Sequence, residues 1–190
     1  MEWSLADPRY DVEDIVNLAD DWFGHEADGI LTRDRGVFRH RLTVATTEQL
    51  FNKGREFIAV CRGGKVTDHG WFHLDDPDHL KAFCWFDRGG YTTYSNEEIC
   101  NAKFHHVDLS IPLKTRVKLI HQMIDQQILW AYQNGIPIVC STSIRDDHHG
   151  FMRIHAKRGF TIKGSYAYIR TKEGLNGIKG IEITSPEKAS

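Results

Sequence analysis

The sequence predicts an α/β (α+β) domain in which a mixed β-sheet carries helices on both faces. Three observations predict it. Apolar residues recur at helical spacing over 12–22, give way to strand-like runs between 56 and 111, and return to helical spacing from Leu113. Residues 102–144 read strand, loop, long helix, strand, the unit that joins parallel strands through a crossover. A short helix over 148–158 and a long strand over 160–170 follow it.

The elements are predicted in order as follows. Residues 2–6 alternate as a first strand that ends before Pro8, and Asp11 is placed to cap a helix running to Phe23. The basic stretch Arg33, Arg35, Arg39, His40 and Arg41 surrounds a short helix, and Thr46 or Thr47 caps another that ends near Asn52. Runs 56–62 and 65–74 read as a hairpin closed by Gly63-Gly64, since both glycines tolerate positive φ. Strands are predicted at 81–86 and 102–111, with a loop over 91–98 between them. Leu113, Val117, Ile120, Ile124, Ile128 and Ala131 form one apolar stripe of a long helix, stopped by Asn134-Gly135 with Gly135 as a left-handed cap. The apolar, β-branched run 136–144 reads as a strand buried on both faces. Gly159 stands just past the short helix, and Gly164 marks a bulge in the last strand.

A chain of 190 residues suits one domain with a single core, and no repeat or linker divides it. Residues 1–175 are expected as that domain and 176–190 as a tail. The formal net charge of −2 argues against a nucleic-acid partner. No apolar run approaches the ~20 residues of a membrane span, and Glu2 and Asp7 stand where a signal peptide needs positive and apolar residues. Cys61, Cys84, Cys100 and Cys140 lack pairing motifs and at least three fall in strand-like apolar runs, as buried free thiols in the cytoplasm would. The chain holds 11 histidines but neither a CxxC pair nor a helical HxxxH, so no metal site is expected. The acidic residues of the first 28 positions, Asp7 to Asp28, suit a solvated helix face or a patch for a basic partner.

A strand–helix–strand unit sets the helix N-terminus beside the end of its first strand, where free amides and the helix dipole favour an anion. The order of elements over 102–170, with Pro112 before the long helix and Ile154-His155-Ala156-Lys157-Arg158-Gly159-Phe160 after the second strand, resembles the GNAT superfamily of acyl-CoA N-acyltransferases. That resemblance implies a centrally splayed sheet with acetyl-CoA as co-substrate. It places the backbone of Leu109, Ser110 and Ile111 along the pantetheine arm and the pyrophosphate at the start of the long helix, where Lys114, Arg116, Val117 and Lys118 are the candidate contacts. His148 falls where many members have a cofactor-contacting asparagine, and His155 replaces the family's tyrosine acid. The segment 112–120 departs from the family's loop, because it has no glycine to let backbone amides approach phosphate. Lys114, Arg116 and Lys118 either supply charge in place of that nest or form a solvated first turn.

Acyl transfer needs a base for the acceptor ammonium and an acid for the leaving thiolate. His155 is the acid candidate; the other reading makes it a half-buried helix residue bonded to a backbone carbonyl. Glu98 and His106 are the leading base candidates among Glu97, Glu98, His105, His106 and Asp108. His105 and His106 point to opposite faces of a strand, so at most one of them faces a cleft. Tyr91, Tyr94, Trp85 and Phe86 wall an acceptor pocket or pack a core. The expected function is acetyl-CoA-dependent N-acylation of a small-molecule amine or a protein amino group. The alternative is a GNAT-fold binding or structural module that has lost its cofactor, in the style of bacteriophage internal virion core proteins, partnered by its own copies or by other virion components.

Overall fold

The computed structural model describes residues 2–26, 34–63, 79–91, 93–142 and 148–163, and the side chains of 21–26 and of 148 lie outside that description. In chain order the elements are β1 (Glu2–Leu5), α1 (Val12–Glu26), α2 (Arg35–Phe51), β2 (Glu56–Arg62), β3 (Leu80–Gly90), β4 (Ile99–Val107), α3 (Leu113–Gln133), β5 (Ile138–Cys140) and α4 (His148–Lys157). The strands form one sheet in the order β1-β2-β3-β4-β5. Its first three pairings are antiparallel and β4 with β5 is parallel.

Strand side chains alternate between two cores. Ile58, Val60, Phe83 and Trp85 pack with Ile15, Val16, Leu42 and Ala45 of α1 and α2. Ala59, Cys61, Cys84 and Phe86 pack with Leu119, Met123 and Trp130 of α3. Burial on both faces is why 56–62 and 81–86 read as unbroken apolar runs. Cys61, Cys84 and Cys100 are buried free thiols, and burial raises the pKa of each.

The acidic start of the chain meets the arginines that follow it. Arg35 donates to Asp20 at 2.9 Å, and Arg39 pairs with Glu13. Arg62 of β2 holds Asp11 at 2.7 Å and Asp14 at 2.6 Å. Asp11, Glu13, Asp14 and Asp20 thus meet Arg35, Arg39 and Arg62 along one α1–α2–β2 seam, where Glu13 is still exposed. The Asp11 carboxylate accepts from the Asp7 N–H and from Arg62, so it braces the turn before α1 instead of capping the first helical amides.

Several segments depart from the sequence expectation. The two short helices around 33–52 are the single helix α2. It is capped by Asp34, whose carboxylate accepts from the Val37 N–H at 2.9 Å. Thr46 and Thr47 donate back to the carbonyls of Leu42 and Thr43 and cap nothing. Substituting Asp34→Ala is expected to cost about 1 kcal/mol in urea unfolding; unchanged stability would deny the cap its role. Gly63 does take φ +64°. Strand β2 pairs with β1 on one edge and β3 on the other. Residues 65–74, the strand over 164–170 and the 176–190 tail lie outside the described residues. Ile138 of β5 is exposed and its two neighbours half-buried, against the expected burial on both faces.

Both helix ends predicted from glycine are built as expected. Gly135 has φ +68°, and the Ile136 N–H returns to the Ala131 carbonyl at 2.9 Å. Gly159 has φ +87°, and the Phe160 N–H returns to the His155 carbonyl at 3.1 Å. Each is a 6→1 closure with an apolar residue folding back on the last turn.

The centre of the sheet opens at β4. Strands β4 and β5 pair over Ile99–Ile138, Cys100–Val139 and Asn101–Cys140. Strand β4 then continues to Val107, while Ser141 and Thr142 are no longer strand. On its other edge Trp85 pairs with Phe104 and Phe86 with Ala102, so Lys103 is an extra, bulged residue. A bulge bends its strand and increases its twist. It lies two residues past the last rung with β5, where the described pairing between the two strands has ended.

Candidate functional site

The end of β4, the start of α3 and α4 converge on that opening. Strand β4 ends at Val107, four residues before the predicted 111, because Asp108 closes a turn: its carboxylate accepts from the Ser110 N–H at 2.8 Å. Burial works against the charged form of Asp108. Hydrogen bonds from His79, at 2.8 Å, and from Ser110 outweigh it and hold the pKa below the ordinary carboxyl value. Leu109, Ser110 and Ile111 therefore form a turn and not a strand, with the Ile111 side chain in the core below α3.

Helix α3 starts directly after Pro112, so the glycine-free segment is helix, not loop. The Thr115 and Arg116 N–H groups both return to the Pro112 carbonyl, at 2.9 and 3.0 Å. Proline has no N–H, so Leu113 and Lys114 present the free donors at this end. At about 100° per residue, Lys114 and Lys118 share one side of the helix and Arg116 leaves from nearly the opposite one. Lys114 and Lys118 are exposed, Val117 is half-buried, and the Arg116 Nε is out of solvent without a hydrogen-bond partner. His148 opens α4, and its side chain lies outside the described residues.

His155 is buried in α4, where its Nδ1 lies 3.0 Å from the Phe151 carbonyl. A carbonyl only accepts, so Nδ1 carries the proton and Nε2 presents a lone pair. That Nε2 is buried with no hydrogen-bond partner among the described residues. Burial lowers the His155 pKa, outweighing the bond to Phe151 that raises it. The rings of Phe151 and Phe160 stand 4.2 and 5.0 Å from its own.

The histidine of β4 on this side is His105. Its ring meets Phe86 at 5.5 Å and Phe151 at 6.5 Å, and neither ring nitrogen has a hydrogen-bond partner. Burial, with a smaller contribution from nearby His155, pushes its pKa down to about 3. His106 points to the opposite face, between Phe83 and Phe104 in the core under α1 and α2. The Glu98 carboxylate is held by Arg88 at 2.7 and 2.6 Å and by the Gly89 N–H at 2.8 Å, which lowers its pKa. The structure thus brings His155 together with His105 on the free stretch of β4, and places Glu98 and His106 elsewhere. Strand alternation separates His105 from His106 but does not say which of them faces α4; the Lys103 bulge and the two cores decide that. Among the described residues no group of three or more His, Cys, Asp or Glu is arranged to hold a metal ion. No described helix is long and apolar enough to cross a membrane.

No protein-family model matches the sequence, and no curated protein sequence matches it. Solved structures do match the fold. A predicted acetyltransferase from Clostridium acetobutylicum, solved with acetyl-CoA, superposes with a TM-score of 0.60 at 14% identity, over 90% of this chain and 97% of that one. An aminoglycoside antibiotic 6′-N-acetyltransferase from Acinetobacter haemolyticus superposes with a TM-score of 0.58 at 13% identity, over 90% and 98%. A ribosomal-protein-alanine N-acetyltransferase from Brucella melitensis gives 0.56 at 14% identity, over 89% and 98%. Its strand order, parallel β4–β5 pair and crossover helix, matched over nearly the whole chain, give this protein the GNAT fold.

Proposed function

We propose that the protein transfers an acyl group from an acyl-CoA thioester to an amine, with the thioester lying along the stretch of β4 that β5 leaves unpaired. The carrying observation is that divergence: three paired rungs, then a bulge at Lys103 and strand to Val107 that no described residue of β5 pairs. Two features support it. The free Leu113 and Lys114 amides and the unpartnered Arg116 Nε suit a polyanion bound by side-chain charge in place of a glycine nest. The lone pair of His155 Nε2, buried without a donor, needs a partner that no described residue supplies.

The bound coenzyme contributes the acyl group on a good leaving thiolate. His155, neutral with its proton on Nδ1, cannot donate from Nε2 until it has accepted there. In this reading the acceptor ammonium first releases one proton to solvent; Nε2 then takes a second from the attacking amine and returns it to the departing sulfur, so the C–N bond forms and the C–S bond breaks with no net proton change at the protein. His105, held neutral beside it, keeps the site free of a competing positive charge.

Isothermal titration with acetyl-CoA tests the reading. Binding is expected, and Arg116→Ala is expected to weaken it by about 1–3 kcal/mol through a lost charged hydrogen bond. No heat at millimolar ligand would leave a binding or structural module on a GNAT scaffold. Unchanged affinity in the variant would move the phosphates away from Arg116.

A further inference from the structure

Below α2, on the sheet face opposite His105 and His155, lies a second cleft of about 540 Å³. Trp85 and Phe104 form its floor. Phe38, Arg41, Ala45 and Glu48, spaced along one side of α2, form its wall. Its volume is within the range of small-molecule sites, roughly 300–1,000 Å³.

The charges in this cleft do not cancel locally. Arg55 is balanced by Glu48 at 3.1 Å. On the floor, Lys103 pairs with Glu56 at 3.4 Å and, behind the lining, with Asp87 at 3.2 Å, so two carboxylates share its single ammonium. Glu56 also accepts the Trp85 indole N–H at 2.5 Å, which fixes its carboxylate against the ring. On the wall, Arg41 is exposed and has no ion pair or hydrogen bond among the described residues. Counting Asp87 behind the floor, Lys103 serves one carboxylate more than it can neutralise, and it faces one positive charge in excess on the wall. Between them lie the rings of Trp85, Phe38 and Phe104, with Phe38 and Phe104 5.7 Å apart.

We infer that this cleft binds an apolar or aromatic amino acid, a zwitterion whose carboxylate pairs with Arg41 and whose ammonium joins Lys103 beside Glu56. A guanidinium without a partner takes a carboxylate in the bidentate geometry it favours. Two carboxylates around one ammonium leave a place for a second. The aromatic floor takes the apolar body. Lys103 is the bulged residue at which β4 leaves β5, so an amine held beside it lies at the edge of the opening. That the bound amine is then acylated rests on the acyl-transfer reading; binding in the cleft does not.

The test is calorimetric titration of the full chain, without acetyl-CoA, with phenylalanine and leucine and with the decarboxylated amine of each, phenethylamine and isopentylamine. Each amino acid is expected to bind about tenfold or more tighter than its amine, the ratio of a charged hydrogen bond. Arg41→Gln, an exposed change on the wall, is expected to abolish that ratio while altering amine binding less than about twofold. Equal binding of amino acid and amine, a ratio that survives Arg41→Gln, or no binding by any of the four at millimolar concentration overturns the assignment. If the amino acids bind as expected and acetyl-CoA does not, the cleft stands and the acyl-transfer reading falls. If acetyl-CoA binds and none of the four does, the reading stands and this assignment falls.

Discussion

Acidification from pH 6.5 to 4.5 is expected to remove roughly 2–3 kcal/mol of stability through His105 alone, since each pH unit between the two pKa values carries about 1.4 kcal/mol. Burial pushes the folded pKa of this imidazole from its ordinary 6.5 down to about 3. Between those values the unfolded chain binds a proton that the folded chain does not, so stability rises with pH across the window and falls as pH drops into it. His155 is shifted in the same direction and adds to the effect. Depressed carboxyls such as Glu98 and Asp108 also destabilise the fold in acid, as they are protonated. Urea unfolding of the wild type and of His105→Phe at pH 7 and pH 4.5 isolates the imidazole. The variant is expected to lose less stability between the two pH values by the stated amount. An equal loss in both proteins would show that water reaches the His105 nitrogens and that the pocket beside His155 is not dry.

Substitution of Gln49 is expected to cost about 3 kcal/mol, more than its polar character suggests. Gln49 is fully buried, at 1% exposure, on the sheet side of α2. An antiparallel hydrogen-bonded pair exchanges two bonds, and at Ala6 and Ile58 one of them is present, from the Ala6 N–H to the Ile58 carbonyl at 3.0 Å. The second is replaced by the carboxamide. Gln49 Nε2 donates to the Ala6 carbonyl at 2.8 Å, and Oε1 accepts from the Ile58 N–H at 2.9 Å. The side chain acts as an inserted peptide group where β1 peels away from β2. Gln49→Ala leaves a donor and an acceptor unpaired in the core and opens a cavity. Gln49→Leu fills the volume but leaves both groups unpaired, so it is expected to recover less than half of the loss. Full recovery by leucine in urea unfolding would show that packing alone, and not the ladder, depends on this residue.

The candidate site was legible in outline and not in detail. The order β4, α3, β5, α4, the absence of glycine after Pro112 and the two glycine-closed helix ends are all written locally. Asn134-Gly135 and Arg158-Gly159 stop helices for reasons contained within six residues. The pair that meets at the opening was not legible. Period 2 shows that His105 and His106 part company, but the face each one takes depends on Phe86, Phe151 and Phe83, which come from other elements. Glu98 reads as a free carboxylate until Arg88 is found beside it. Arg41 reads as one cation in a basic run until its neighbours Arg35 and Arg39 are seen to be paired with α1 while it faces Trp85 across a cleft.

The sequence by itself determined which segments are helix and which are strand over most of the described chain, where two helices stop, and that a crossover unit carries an anion-favouring helix end. Those properties follow from side-chain period and from single residues able to take positive φ, both short-range. Tertiary structure decided that α2 is one helix, that β2 pairs with β1 and β3, that β4 leaves β5 at a bulge, and that His105 and not His106 stands beside His155. Each of these depends on what a residue meets from tens of positions away. Burial and pairing are settled by the whole sheet closing on its two cores, not by any local stretch of chain.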